Sequence, residues 1–407
     1  MPRLLDRYAA IVGRDVVDEL AALAGCLRGV RVRNINTTAV GGGVAEILHQ
    51  MIPLCRELGI DAVWDVMKGG ESFFRVTKAF HNALHGQPGG LTEEMKAIYR
   101  ETTEMNLESL ALDGDVVFVH DPQPAGLVQG RRDGQRWLWR CHIDLSSPNP
   151  AFWDFLAPIV SRYDGSVFSA PQFARQLPIP QFLVAPSIDP LSDKNRELPR
   201  EKVLEVLERH GIDPKRPVVT QVSRFDRLKD PLGVLEAWRL VRKSQDCQLV
   251  LAGGSADDDP EGAQVLAEVR ERAGNDPDVH LLLLPPDAHL EINALQRGST
   301  VILQKSLREG FALTVSEALW KGRPVVGSAV GGIPLQIEHG VTGLLVRSVE
   351  GAAGAIKRLL SNPDYARELA RRGREHVRCN FLLTRHLKDY LCAFLAIRLG
   401  GSGVTYL

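Results

Sequence analysis

Two carboxylates, Glu309 and Glu317, stand eight positions apart in residues 307–322, LREGFALTVSEALWKG. Gly310 follows Glu309 at once, and Leu313, Ala318, Leu319 and Trp320 recur as they would on one buried helix. The pattern places Glu309 on a loop and Glu317 in the first turns of a helix that ends by Gly322 and Pro324. A loop running into a helix N-terminus aims backbone N–H groups and the helix dipole at one point, which suits an anion. Carboxylates beside it would repel the anion unless they bond to something else, such as sugar hydroxyls. Read as a hydrolase pair on one helix, the two would lie about 12 Å apart, too far for either glycosidase geometry.

Cations to match stand upstream, in residues 218–231, VVTQVSRFDRLKDP. The β-branched run Val218, Val219, Thr220, Val222 reads as a strand that delivers Arg224 and Lys229 to its C-terminal edge, where doubly wound sheets bind ligands. Arg presents a planar fork to phosphate and Lys a point charge. Together with a helix N-terminus they suit a diphosphate. Glu317 is suited to accept from both hydroxyls of a ribose, and Glu309 with the N–H groups of Gly310, Phe311, Ala312 and Leu313 to hold a sugar.

At these residues the chain resembles the retaining nucleotide-sugar glycosyltransferases of the GT-B fold, the family that includes sucrose and glycogen synthases. That family carries an Arg and a Lys after the first strand of its second domain and a Glu, seven residues, Glu element. Within it the resemblance is to the glucosyl-transferring trehalose synthases, through NINTTAVGGGVAEILHQ, GESFFRVTKAFHNALHG, WRCHIDLS, NPAFWDFLAPIVSRYDG and SRFDRLKDPLGVLEAW. The resemblance implies two Rossmann-like domains facing each other across a cleft. Residues 1–190 would bind the acceptor and 191–380 the nucleotide sugar, with a last helix, 382–399, returning to the first domain. It implies catalysis by Glu309, His142, Arg224 and Lys229, with His142 over the donor sugar, and backbone near Leu284 on the base. Gly42 and Gly43 would close on the diphosphate. Substrates would be ADP-, UDP- or GDP-glucose, glucose and trehalose, with retention of anomeric configuration. Trehalose phosphorylase, a nucleotide-sugar 2-epimerase and a non-catalytic sugar- or nucleotide-binding protein are the rival readings.

The elements that must position these residues follow an α/β pattern. Residues 4–27 read as amphipathic helix. Residues 30–36 read as a strand running through Gly41-Gly42-Gly43 into a helix at 44–58, a phosphate-approach geometry without the spaced dinucleotide fingerprint. Further strands are expected at 61–66, 115–120, 137–144, 167–169 and 182–185. Two of them end in His plus Asp: His120-Asp121, and Arg140, His142, Asp144. Asp121, Arg140 and Asp144 are acceptor-side candidates. Residues 186–199, rich in Pro, Asp and Ser, mark a domain boundary. Strands at 218–222, 248–253, 279–284, 300–304, 323–328 and 343–346 alternate with helices after it, and the tail GSGVTYL reads as loose. Asp257-Asp258-Asp259 contains a DxD-like run that a metal clamp could use, but it reads first as a solvated loop before Pro260; with Arg224 and Lys229 present, Mg²⁺ is not needed to neutralise phosphate.

A chain of 407 residues suits two domains, and 49 Lys+Arg against 50 Asp+Glu gives no basic excess for nucleic acid or membrane surface. Six cysteines without CxxC spacing argue against zinc and a disulfide framework, and for a reducing, cytoplasmic setting. The charged N-terminal stretch does not read as a signal peptide, and no run of 18 apolar residues occurs. A homodimer is compatible with the sequence.

Overall fold

The computed structural model describes residues 3–39, 43–254, 260–400 and 404–406. The chain divides into two compact units, 1–187 with 383–407, and 188–382. Each is an α/β unit around one all-parallel sheet.

The first unit holds β1 (Arg31–Asn36), β2 (Asp61–Val66), β3 (Val116–His120), β4 (Arg136–Arg140), β5 (Gly165–Phe168) and β6 (Gln181–Leu183). Its sheet runs 6-5-4-3-1-2, and Val404–Tyr406 adds a parallel edge strand beside β6. The tail expected to be loose therefore pairs in part. β3, VVFVH, is buried at every position, as a strand covered on both faces must be. On one face Phe118 meets Tyr390 and Phe394 of the helix Leu383–Leu399, at ring-centre distances of 4.8 and 5.3 Å.

The helix Glu93–Ser109 had no counterpart in the sequence reading. Its buried positions are Tyr99, Thr102, Thr103 and Asn106, helical in spacing but mostly polar, so hydrophobic periodicity is silent. Asn106 earns burial by bonding Lys68 at both ends: its Oδ1 accepts from Lys68 N (2.8 Å) and its Nδ2 donates to Lys68 O (2.7 Å).

The second unit holds β7 (Val218–Val222), β8 (Gln248–Gly253), β9 (Val279–Leu283), β10 (Val301–Gln304), β11 (Val325–Ser328) and β12 (Leu344–Val346), in the order 12-11-10-7-8-9. Alternation splits each strand between two cores. Val219, Leu249 and Leu251 join the cluster with Trp238, Val269 and Ile356, whereas Val218, Val250 and Ala252 join Val206, Leu207 and Leu295 on the other face. The chain winds outward from β7 through β8 to β9, then restarts at β10 on β7's other side. That reversal opens a crevice at the C-terminal ends of β7 and β10, the place where such sheets bind ligands.

Candidate functional site

The loops leaving β7 and β10 converge at this crevice. Lys229 closes the short 3-10 turn Arg227–Lys229, and its Nζ lies 2.8 and 2.7 Å from the two Glu309 carboxylate oxygens. Ser306 Oγ donates to Glu309 Oε2 (3.0 Å). The Glu309 side chain is only 9% exposed, so a partly desolvated ion pair stands where Lys229 was expected to face phosphate beside Arg224. Arg224 is different: its side chain is 62% exposed, with Asp226 3.4 Å away.

Polar residues set into otherwise apolar strands shape both loops. Gln221 of β7 is 1% exposed; its Nε2 donates to Lys229 O (3.0 Å) and its Oε1 accepts from Lys305 N (3.0 Å), tying the two loops together. Gln304 of β10 donates to Ser306 Oγ (3.0 Å) and accepts from Thr314 Oγ1 (3.1 Å). Asp230 adopts a left-handed conformation (φ 50°), pairs with Lys305, and caps the helix Pro231–Arg242 by accepting from Gly233 N (3.0 Å). Gln221, Gln304, Asp230 and Lys305 were missed as site elements; Gln221 and Gln304 were visible as polar interruptions of VVTQV and VILQ.

Glu309, Gly310 and Phe311 form the loop before the helix Leu313–Trp320, whose cap residue Ala312 sits at φ 69°. A left-handed alanine costs about 1–3 kcal/mol and persists where its surroundings over-determine it. Here Gln336 does so: it accepts from Ser316 Oγ (2.6 Å) and donates to Phe311 O. Phe311 itself is buried, its ring centre 5.6 Å from that of Phe381. Leu313 opens the helix; Val315 N already donates to Ala312 O (3.0 Å), and the N–H groups ahead of it fall outside the intrahelical ladder.

Glu317 lies within that helix at 2% exposure. Lys194 Nζ is 3.7 Å from its Oε1, while its buried Oε2 has no hydrogen-bond partner in the protein. Below it, Lys321 donates to Asn195 Oδ1 (3.0 Å) and Gln296 Oε1 (2.6 Å), and burial pushes this lysine down to about 7. Neither Lys194 nor Lys321 carried a sequence signal beyond its charge. Leu284, just past β9, is buried, with its N–H on Gly253 O (2.9 Å).

In the first unit the C-terminal ends of β3 and β4 carry the second group. Asp121, at φ 71°, accepts from His142 N (2.8 Å) and donates its own N–H to Arg140 O (2.7 Å). Burial pushes the Asp121 carboxyl up to about 6. His142 is part-exposed, Asp144 caps a turn by accepting from Ser146 N (2.8 Å), and His120 is buried. Arg140, expected on the acceptor side, is fully buried and turned inward, donating to Ser169 Oγ (3.0 Å). Its alternation along β4 puts it on the face covered by the helix Leu383–Leu399. Gly43 is the first residue of the helix Gly43–Glu57, whereas Gly42 and Asp257-Asp258-Asp259 lie outside the described residues. Among the described residues no cluster of three His, Cys, Asp or Glu could hold a metal.

Comparison with known proteins decides the family. The trehalose synthase N-terminal domain model matches residues 34–175 and the group 1 glycosyl transferase model 204–376. A trehalose synthase of Rubrobacter xylanophilus is 48% identical over 402 residues, 96% of either chain. The chain belongs to the trehalose synthase family. Its fold is GT-B and it is a glycosyltransferase. The family member of Pyrococcus horikoshii is 46% identical over 96% of this chain and 95% of its own. Among solved structures, Anabaena HepE in complex with UDP-glucose superposes with a TM-score of 0.68 at 14% identity, covering 90% of this chain and 99% of that one, a likeness of fold alone.

In this trehalose synthase relative the loop carrying Glu309 depends on the Gly331-Gly332 turn. A Cβ on Gly331 would lie 1.6 Å from Glu309 O, and one on Gly332 2.5 Å from Gly310 O. Gly331 also sits at φ +53°. Gly331→Ala must displace the backbone of Glu309, so activity is expected to fall at least tenfold with a melting temperature lowered by a few degrees. Turnover and a thermal melt on the same sample check this; unchanged turnover would detach the turn from the site.

Proposed function

We propose that this enzyme makes trehalose by transferring glucose from a nucleoside-diphosphate glucose to free glucose, with retention of configuration. The observation that carries the reading is the Lys229–Glu309 pair at the β7/β10 crevice, beside a helix N-terminus and above a buried Glu317 with an unpartnered oxygen. In the reaction the bond between the sugar C1 and the diphosphate oxygen breaks, and an acceptor hydroxyl oxygen bonds to C1. The hydroxyl proton passes to the departing phosphate oxygen.

The residues divide the work. Lys229 and Arg224, with the N–H groups at the start of the helix Leu313–Trp320, stabilise the diphosphate as it gains charge. Charge-assisted bonds of this kind contribute about 1.5–3 kcal/mol each. Glu309 and the backbone of Gly310, Phe311, Ala312 and Leu313 hold sugar hydroxyls. Glu317 accepts from the ribose, backbone at Leu284 meets the base, and Gly42 and Gly43 approach the diphosphate. His142 caps the donor sugar from the first unit, and Asp121 and Asp144 serve the acceptor. The cations already neutralise phosphate, so the reading requires no metal.

Product analysis tests it. ADP-, UDP- or GDP-glucose with glucose should give trehalose and the free nucleoside diphosphate in equal amounts, and NMR of the product reads the configuration. Dependence on inorganic phosphate, with glucose 1-phosphate released from trehalose, would replace transfer by phosphorolysis.

A further inference from the structure

Two histidines of the first unit are joined ring to ring. His120 Nδ1 lies 3.2 Å from His142 Nε2, and His120 Nε2 lies 3.3 Å from Asn34 Oδ1. The ring planes differ by 21° with centres 5.6 Å apart, which together with the short N···N distance describes an edge-to-edge hydrogen bond rather than a face stack. The orientation of Asn34 is set separately, because its Nδ2 donates to Val63 O (3.4 Å) and leaves the carbonyl oxygen toward His120.

Donor and acceptor roles then follow in order. A carbonyl oxygen only accepts, so His120 donates to Asn34 through Nε2–H. A neutral imidazole carries one ring proton, so His120 Nδ1 accepts, and His142 donates to it through Nε2–H. His142 is left with a lone pair on Nδ1. His120 is 2% exposed and His142 part-exposed, so of the two only His142 can meet a ligand.

The surroundings keep both rings neutral. The charged and titratable groups facing the pair are Arg140 from β4, Asp121 from the loop after β3 and His386 from the helix Leu383–Leu399, where Arg385 and Asp389 interact in turn with Arg140. Burial, then the positive charge of Arg140, pushes His120 down to about 3 and His142 well below the usual histidine range. Arg140 is buried without a carboxylate at ion-pair distance among the described residues, and its charge also acts on Asp121 and Asp389.

We propose that Asn34 and His120 are positioning residues that lock His142 as the Nε2–H tautomer, so that His142 offers Nδ1 as an acceptor to a sugar hydroxyl. His142 then orients substrate and does not donate a proton to the leaving group. This rests on the sugar-transfer reading above only for the identity of the hydroxyl; the tautomer stands independently of it.

Long-range ¹H–¹⁵N spectra of ¹⁵N-histidine-labelled full-length protein read the tautomer directly, with His142→Asn assigning the signal. The expected result between pH 6 and 8 is a protonated Nε2 and an unprotonated Nδ1 at His142. In Asn34→Leu and in His120→Phe the signal should divide between both tautomers, with kcat/KM for the nucleotide sugar lowered about tenfold and affinity for the free nucleoside diphosphate unchanged. A wild-type His142 protonated at Nδ1 overturns the proposal, and so does a tautomer unmoved in both variants. The wild-type spectrum decides even if a variant does not fold. It also decides if trehalose is not the product, so the two failures are told apart.

Discussion

Lys229→Ala is expected to lower kcat/KM for trehalose formation by about 10²–10³-fold, the range for losing one preorganised donor to developing negative charge. Two causes could produce such a loss, and the structure shows how to separate them. Lys229 holds both oxygens of Glu309, which is 9% exposed and otherwise bonded to Ser306. Removing the lysine leaves that carboxylate without a cation, and breaking a buried pair costs about 3–5 kcal/mol, less here because Lys229 is itself one-fifth exposed. Lys229→Ala with Glu309→Gln removes the uncompensated charge. Its melting temperature should recover most of what the single change lost, while its turnover stays low, because no group replaces the ammonium at the leaving phosphate. Recovery of turnover along with stability would mean that Lys229 serves only to hold Glu309. A single variant within tenfold of the wild type would remove it from catalysis altogether.

Glu317→Gln should raise KM for the nucleotide sugar about 10- to 100-fold with a smaller change in kcat, since one or two charge-assisted bonds of about 1.5–3 kcal/mol are made in ground state and transition state alike. The carboxylate is 2% exposed, with Lys194 3.7 Å from one oxygen and the other buried without a partner. A buried acceptor in that condition costs free energy that a pair of ribose hydroxyls would return. A donor lacking the 2′-hydroxyl makes the measurement specific. The wild type should lose affinity for it by a factor close to that caused by the substitution, and Glu317→Gln should scarcely distinguish the two donors. If both proteins lose equally on the deoxy donor, Glu317 does not hold the ribose and its burial serves the helix.

Much of this protein is written locally. The runs VVTQV, QLVLAG and VILQ are apolar on consecutive positions because a parallel strand is covered on both faces, and they read as strands without a partner in view. Gly310 and the spacing of Leu313, Ala318 and Leu319 separate a loop from a helix, which is why Glu309 and Glu317 could be assigned different settings before any fold was known. Where the buried face is Tyr99, Thr102, Thr103 and Asn106, the same logic has little to read, because Thr103 and Asn106 are buried with hydrogen bonds and Tyr99 alone packs as an aromatic, against Phe80 and Phe155.

The pairings belong to the tertiary structure. Lys229 and Glu309 are 80 residues apart and Asn34 and His120 86, and each meeting depends on which strands are neighbours. Arg140 and His142 both stand at the end of β4, yet one is driven under a helix and the other reaches the surface. Residue types and spacing determine which chemistry is available and which segments are strand, helix or turn, since those follow from the few bonds on either side. Strand order and helix cover decide which charges meet and which way a side chain turns, since those depend on parts of the chain that only folding brings near.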